Sequence, residues 1–127
     1  MFPSVIYLCV DIATVAAATA EDRYVALPEG SGEWELVYAA YVPATTDALD
    51  ASNYTTITLK NGSNALGTLS NETVAFTAGT LREFDVTGNG QNAEFTGGTD
   101  DLNINKAETG TGGVLDGAIS LKFVRRT

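Results

Sequence analysis

Hydrophobic and polar positions along this chain alternate in short runs. β-Branched and aromatic residues recur every ten to fifteen positions, separated by Gly, Asn, Asp, Ser and Thr. The first run, SVIYLCVDI (4–12), is apolar on both faces up to Asp11, which predicts a strand that is buried or paired in an interface. DRYVAL (22–27) and EWELVYAAYVP (33–43) follow, the latter closed by Pro43, which has no amide hydrogen for a ladder. YTTITLK (54–60) and ALGTLS (65–70) flank Asn61-Gly62, a strong hairpin signal because both residues tolerate positive φ. TVAF (73–76) is a short candidate strand. LREFDVT (81–87) sets Phe84 and Val86 against Glu83 and Asp85, and DLNINKA (101–107) sets Leu102 and Ile104 against Asn103 and Asn105. The last run, AISLKFV (118–124), turns Ile119, Leu121 and Phe123 inward and Ser120 and Lys122 outward. Helical spacing is weak throughout; the alanine-rich stretch at 14–22 is the one candidate for a short helical turn.

Seven or eight strands of this length do not fit one open sheet, and two sheets bury the alternating faces against each other. The expected fold is all-β: a two-sheet antiparallel β-sandwich, jelly-roll-like, with about eight strands. No fixed period points to a solenoid or a propeller. At 127 residues the chain is expected to be a single domain, 1–127, with 1–13 as an N-terminal strand or an arm pairing with a neighbouring chain.

Composition narrows the function more than it names one. Sixteen acidic against seven basic residues leave a net charge of −9, a surface that repels nucleic-acid phosphates. Histidine is absent and Cys9 is the sole cysteine, which removes His-based triads, a structural zinc site and any internal disulfide. Cys9 itself reads as a small buried hydrophobe. Ala18-Thr19-Ala20 matches a signal-peptidase pattern, but no Lys or Arg precedes it and Asp11 interrupts a run of only six apolar residues, so neither a signal peptide nor a membrane span is expected.

The candidate motifs read mostly as structure. Gly110, Gly112 and Gly113 resemble a phosphate-cradling loop, but a period-two segment follows them where such a loop needs a helix. They are expected to turn the chain between two strands. DVTGNGQNAEF (85–95) carries part of a calcium-loop spacing without the acid required at position twelve; Asp85, Glu94, Asp100 and Asp101 are its candidate ligands. Sixteen acids pair by coincidence, and none is marked out as catalytic. Trp34 and Tyr38 share a face with Leu36 and Val42 and are expected in the core, while Tyr41 is expected on the opposite face with Val37 and Ala39. That second face, and the outer face of the first strand, make Val5, Tyr7, Val37 and Tyr41 candidates for a subunit or partner contact. Lys122, Arg125 and Arg126 concentrate basic charge near the end; Arg125 and Arg126 are either a solvated tail or a contact to acids of a neighbouring surface.

TAEDRYVALP, DALDASNYTTITLKNGS, FTAGT and GTGGVLDGAISLKFV, in that order, resemble small all-β virion proteins of tailed bacteriophages, especially head decoration (cement) proteins and related tail or fibre modules. The resemblance lies in turn and strand grammar between about Ala18 and Val124, with no catalytic signature in it. It implies a jelly-roll-like sandwich, usually a homotrimer, bound to the major capsid protein on the outer surface of a phage head. No enzymatic activity, cofactor, nucleic acid or membrane is expected on that reading. Retention would come from many modest contacts repeated by symmetry. The alternative is a carbohydrate- or receptor-binding sandwich of a tail fibre or tailspike, which requires an exposed aromatic platform at Trp34 or the tyrosines.

Overall fold

The period-two runs become strands because each has one face to bury and a neighbour to pair with. The computed structural model describes residues 5–27 and 33–126. Within them the strands are β1 (Val5–Val15), β2 (Glu21–Ala26), β3 (Glu33–Pro43), β4 (Tyr54–Asn61), β5 (Asn64–Ser70), β6 (Arg82–Glu83), β7 (Glu94–Thr96), β8 (Asp101–Thr109) and β9 (Leu115–Arg125). The larger sheet has the order β1-β9-β3-β6, with β7 also pairing β3; the smaller has the order β2-β8-β4-β5. All pairings are antiparallel. Consecutive strands cross repeatedly between sheets, which is the winding of an eight-strand jelly roll with the short β7 added. Residues 1–4 of the expected N-terminal arm lie outside the described residues; from Val5 onward it pairs with β9 of its own chain.

The core lies between the sheets. Leu36, Tyr41, Phe95, Ile119, Leu121 and Phe123 come from the larger sheet, and Ile57, Leu59, Leu102 and Ile104 from the smaller, all almost fully buried. Burying each side chain of this size stabilises the fold by about 1.5–3 kcal/mol. The rings meet edge to face, Tyr41 with Phe76 at 5.2 Å and Phe95 with Phe123 at 5.7 Å between centroids.

Three expectations are corrected. The stretch 14–22 is not helical: β1 runs on to Val15, which pairs with Leu115, and β2 begins at Glu21. Ladder pairing outweighs alanine's small helical preference. Of 73–76, Phe76 alone forms a bridge, with Asp47, and of 81–87 only Arg82 and Glu83 are strand. The remaining β3 neighbour is β7, whose three residues are too short for a periodic signal.

The third correction concerns phase. Leu36 faces Phe123 and Tyr38 faces Lys122, so Val37 is an extra residue with no partner on β9. This bulge reverses the alternation in the second half of β3. Trp34 and Leu36 point inward before it; Ala39 and Tyr41 point inward after it. Tyr41 is therefore a core residue, and Tyr38 and Val42 turn to the outer face.

Candidate functional site

The two outer faces of the sandwich differ in chemistry. On the smaller sheet Asn103 and Asn105 both donate to Asp22 Oδ1, at 3.1 and 2.7 Å, beside Tyr24, which is 67% exposed on the same outer face. These amides, Asn105 foremost, hold the Asp22 carboxyl below the usual range. On the larger sheet the outward row of β1 is Val5, Tyr7, Cys9 and Asp11, while Ile6, Leu8 and Val10 pack against the core. Each outward residue continues across β9, with Val5 beside Val124, Tyr7 beside Lys122, Cys9 beside Ser120 and Asp11 beside Ala118. The Lys122 ammonium lies 5.7 Å from the centre of the Tyr7 ring.

This apolar outer face holds three of the six expected contact residues. Val5 is 41%, Tyr7 74% and Val37 40% exposed. Val37 is exposed because it is the bulged residue. Tyr41 is 1% exposed and its hydroxyl donates to the Asp116 carbonyl at 2.6 Å, so it is withdrawn from any partner. Burial pushes its phenol well above the ordinary range. Arg126 is held within its own chain: its guanidinium pairs with Glu35 at 2.5 Å and its amide donates to the Glu33 carbonyl at 2.8 Å. Arg125 is half-buried opposite Trp34 in the ladder. Cys9 is exposed, contrary to the expectation of burial, because it shares the outward phase of Tyr7 on a strand at the sheet edge. Trp34 is 4% exposed and forms no stacking platform.

A second constellation sits inside one end of the sandwich. Lys106 continues the inward phase of Leu102 and Ile104 and is 2% exposed. Its ammonium pairs with Glu108 and donates to the carbonyls of Ala16 and Gly113, at 3.0 and 3.1 Å. Glu108 also accepts from the Thr55 hydroxyl at 3.2 Å. The 110–113 loop is fitted around these acids. A Cβ on Gly112 would overlap the Glu108 carboxylate, and one on Gly113 would overlap that of Asp47. The glycines therefore serve as a strand connection, with side chains of the same chain filling the space a ligand would need. Asp47 Oδ2 is buried with no hydrogen-bond partner among the described residues. Burial first, and Glu108 second, push its carboxyl upward. The signal for Lys106 was present in the sequence, since strict alternation carries it inward; its charge argued otherwise.

The 85–96 segment spends its polar groups within its own turns, on Leu66 of β5 and on Asp100. Asp85 accepts from the Thr87 hydroxyl and amide, Asn89 donates to the Leu66 and Val86 carbonyls, and Asp100 accepts from the Thr96 amide. No group of three or more metal-ligating side chains occurs among the described residues. Family models, curated proteins and solved structures were all searched, and none matches this chain.

Proposed function

We propose that this chain is a structural protein of a tailed-phage virion, decorating and bracing the outer surface of the head as a homo-oligomer bound to the major capsid protein. The observation that carries the reading is the contrast between the two outer faces. One ties its Asp22, Asn103 and Asn105 side chains together, with Tyr24 exposed beside them; the other exposes Val5, Tyr7 and Val37 across β1 and β3. Exposed Val5, Tyr7 and Val37 share this face with Lys122 and Asp11, a mixture of apolar and charged groups suited to a contact surface. The jelly-roll winding and the sequence resemblance supply the class of assembly. Multiplied by capsid symmetry, modest contacts of this kind give firm retention. No cofactor and no reaction enters this role.

The test is addition of purified protein to expanded phage heads, with retention measured by co-sedimentation and the copy number per particle by quantitative mass spectrometry. Saturable binding at a copy number commensurate with capsid symmetry is expected, weakened by Tyr7→Asp and Val37→Asp. Absence of retention on heads of the native phage would remove the reading.

A further inference from the structure

We propose that the open edge of β1 is a self-association edge, through which two copies pair antiparallel about a two-fold axis at Cys9 and join their larger sheets into one. This rests on the homo-oligomeric part of the function proposed above and replaces the trimer implied by resemblance with a two-fold unit. β1 pairs with β9 on one side, and among the described residues no other strand of the larger sheet flanks it. From Val5 to Ile12 it has no Pro, Lys, Arg or bulge, the devices that protect edges. Its one charge is Asp11.

The opposite side of the sandwich is closed. β6 and β7 both pair with β3, the Phe84 amide donates to the Ala39 carbonyl at 2.9 Å, and Asn89 reaches across to the Leu66 carbonyl of β5 at 2.8 Å. With that side occupied, the strand best suited to the β1 edge is β1 of a second copy, which is an isologous and self-limiting contact.

Register follows from phase and charge. Outward residues must lie beside outward residues, or both copies would lose their core faces. Centring on Cys9 sets Tyr7 beside the partner's Asp11, with Lys122 one strand further on in the same row, so that Lys122 and the partner's Asp11 come within about 10 Å on each side of the axis. Within one copy these two charges stand four residues apart along the strand, about 13 Å. Centring on Leu8 would set the partner's Asp11 against Val5. Centring on Val10 would carry the pairing two residues further, setting Val5 against the partner's Val15 across the whole irregularity after Ile12. At the far end Val5 lies beside the partner's Ala13, whose carbonyl already accepts from Arg23 at 3.1 Å and closes the ladder.

The pairing places Cys9 beside the partner's Cys9, with Cα atoms about 4.5–5.5 Å apart, within the span of a disulfide. The experiment uses the full chain. Light scattering is expected to give twice the 13.3 kDa mass. Diamide, taking two electrons and two protons from each thiol pair, is expected to yield a covalent dimer, and Cys9→Ser to abolish the crosslink while keeping the dimer mass. Asp11→Lys and Lys122→Glu are each expected to weaken the dimer about threefold at low salt, and the double variant to restore it. Circular dichroism of every variant checks that the fold is kept. A monomer, a trimer, a dimer without the Cys9 crosslink, or charge variants without mutual rescue would each overturn the proposal. So would a monomer that takes up an added extended peptide on β1, which would assign the edge to a foreign strand. A monomer still retained on phage heads would overturn the pairing alone, whereas a crosslinked dimer that ignores heads would overturn the head-binding reading alone.

Discussion

Lys106 and Glu108 lie two residues apart on the inward face of β8, their charges meeting at 2.5 Å with side chains only 2% and 9% exposed. Such a pair costs heavily when one half is removed, because the other stays buried and uncompensated. Lys106→Met is expected to lose about 3–5 kcal/mol in urea denaturation. The double variant Lys106→Met/Glu108→Gln should lose less than the sum of the single changes. A single-variant loss below about 1 kcal/mol would place the pair among solvated ion pairs.

The glycine loop should be intolerant of a methyl group. Glu108 is pinned by Lys106, so it has little freedom to yield to a Cβ on Gly112. Gly112→Ala and Gly113→Ala are each expected to cost about 1–3 kcal/mol, seen as a lowered melting temperature. Alanine at either position without a stability change would mean that the acids do not rest against this backbone.

Asp47 and three other aspartates respond to pH in opposite senses. The folded-state pKa of Asp47 is raised, so its carboxylate works against the fold: its contribution is favourable below the unfolded value of 3.8 and is lost as pH rises through the folded value. Asp47→Asn is therefore expected to raise the melting temperature at neutral pH, with the gain shrinking to nothing in acid. Asp22, Asp50 and Asp85 are lowered, chiefly by the Asn105 side chain, the Ser52 amide and the Thr87 hydroxyl respectively. Their stabilisation is present above 3.8 and disappears as pH falls through the folded values. A melting profile of the Asn variant that ran parallel to wild type at every pH would contradict this assignment for Asp47.

Burial holds the Tyr41 phenol protonated well above the ordinary range, and ultraviolet titration should show a late-ionising phenol that Tyr41→Phe removes. Tyr41→Phe removes the bond to the Asp116 carbonyl, which keeps only the longer contact from the Ala44 amide at 3.4 Å. The expected loss is about 1 kcal/mol in chemical denaturation. Unchanged stability would show the hydroxyl to be replaceable by solvent.

The fold was legible where alternation was unbroken. In the runs 101–107 and 118–124 the alternating residues Leu102, Ile104, Ile119, Leu121 and Phe123 are inward as expected, and Asn61-Gly62 marks the hairpin, with Gly62 at φ +59°. It failed where one residue breaks phase: Tyr41 was put outside because period two alone gives no sign of a bulge at Val37. Cys9 was misplaced for a different reason. Hydrophobicity on both faces marks a strand for burial, but among the described residues nothing packs on the outer face of β1, where Cys9 shares the phase of Tyr7. Exposure was readable at Val5, Tyr7 and Val37, whereas burial of Lys106 follows from alternation alone and runs against the cost of burying a charge.

Val37 gives β3 a property that no side chain in it possesses. One residue sets the relative phase of two half-strands, so its deletion would turn either Trp34 and Leu36 or Ala39 and Tyr41 away from the core. Point substitutions along β3 exchange one side chain for another, but the loss of a single codon at 37 would exchange the inside of the protein for its outside.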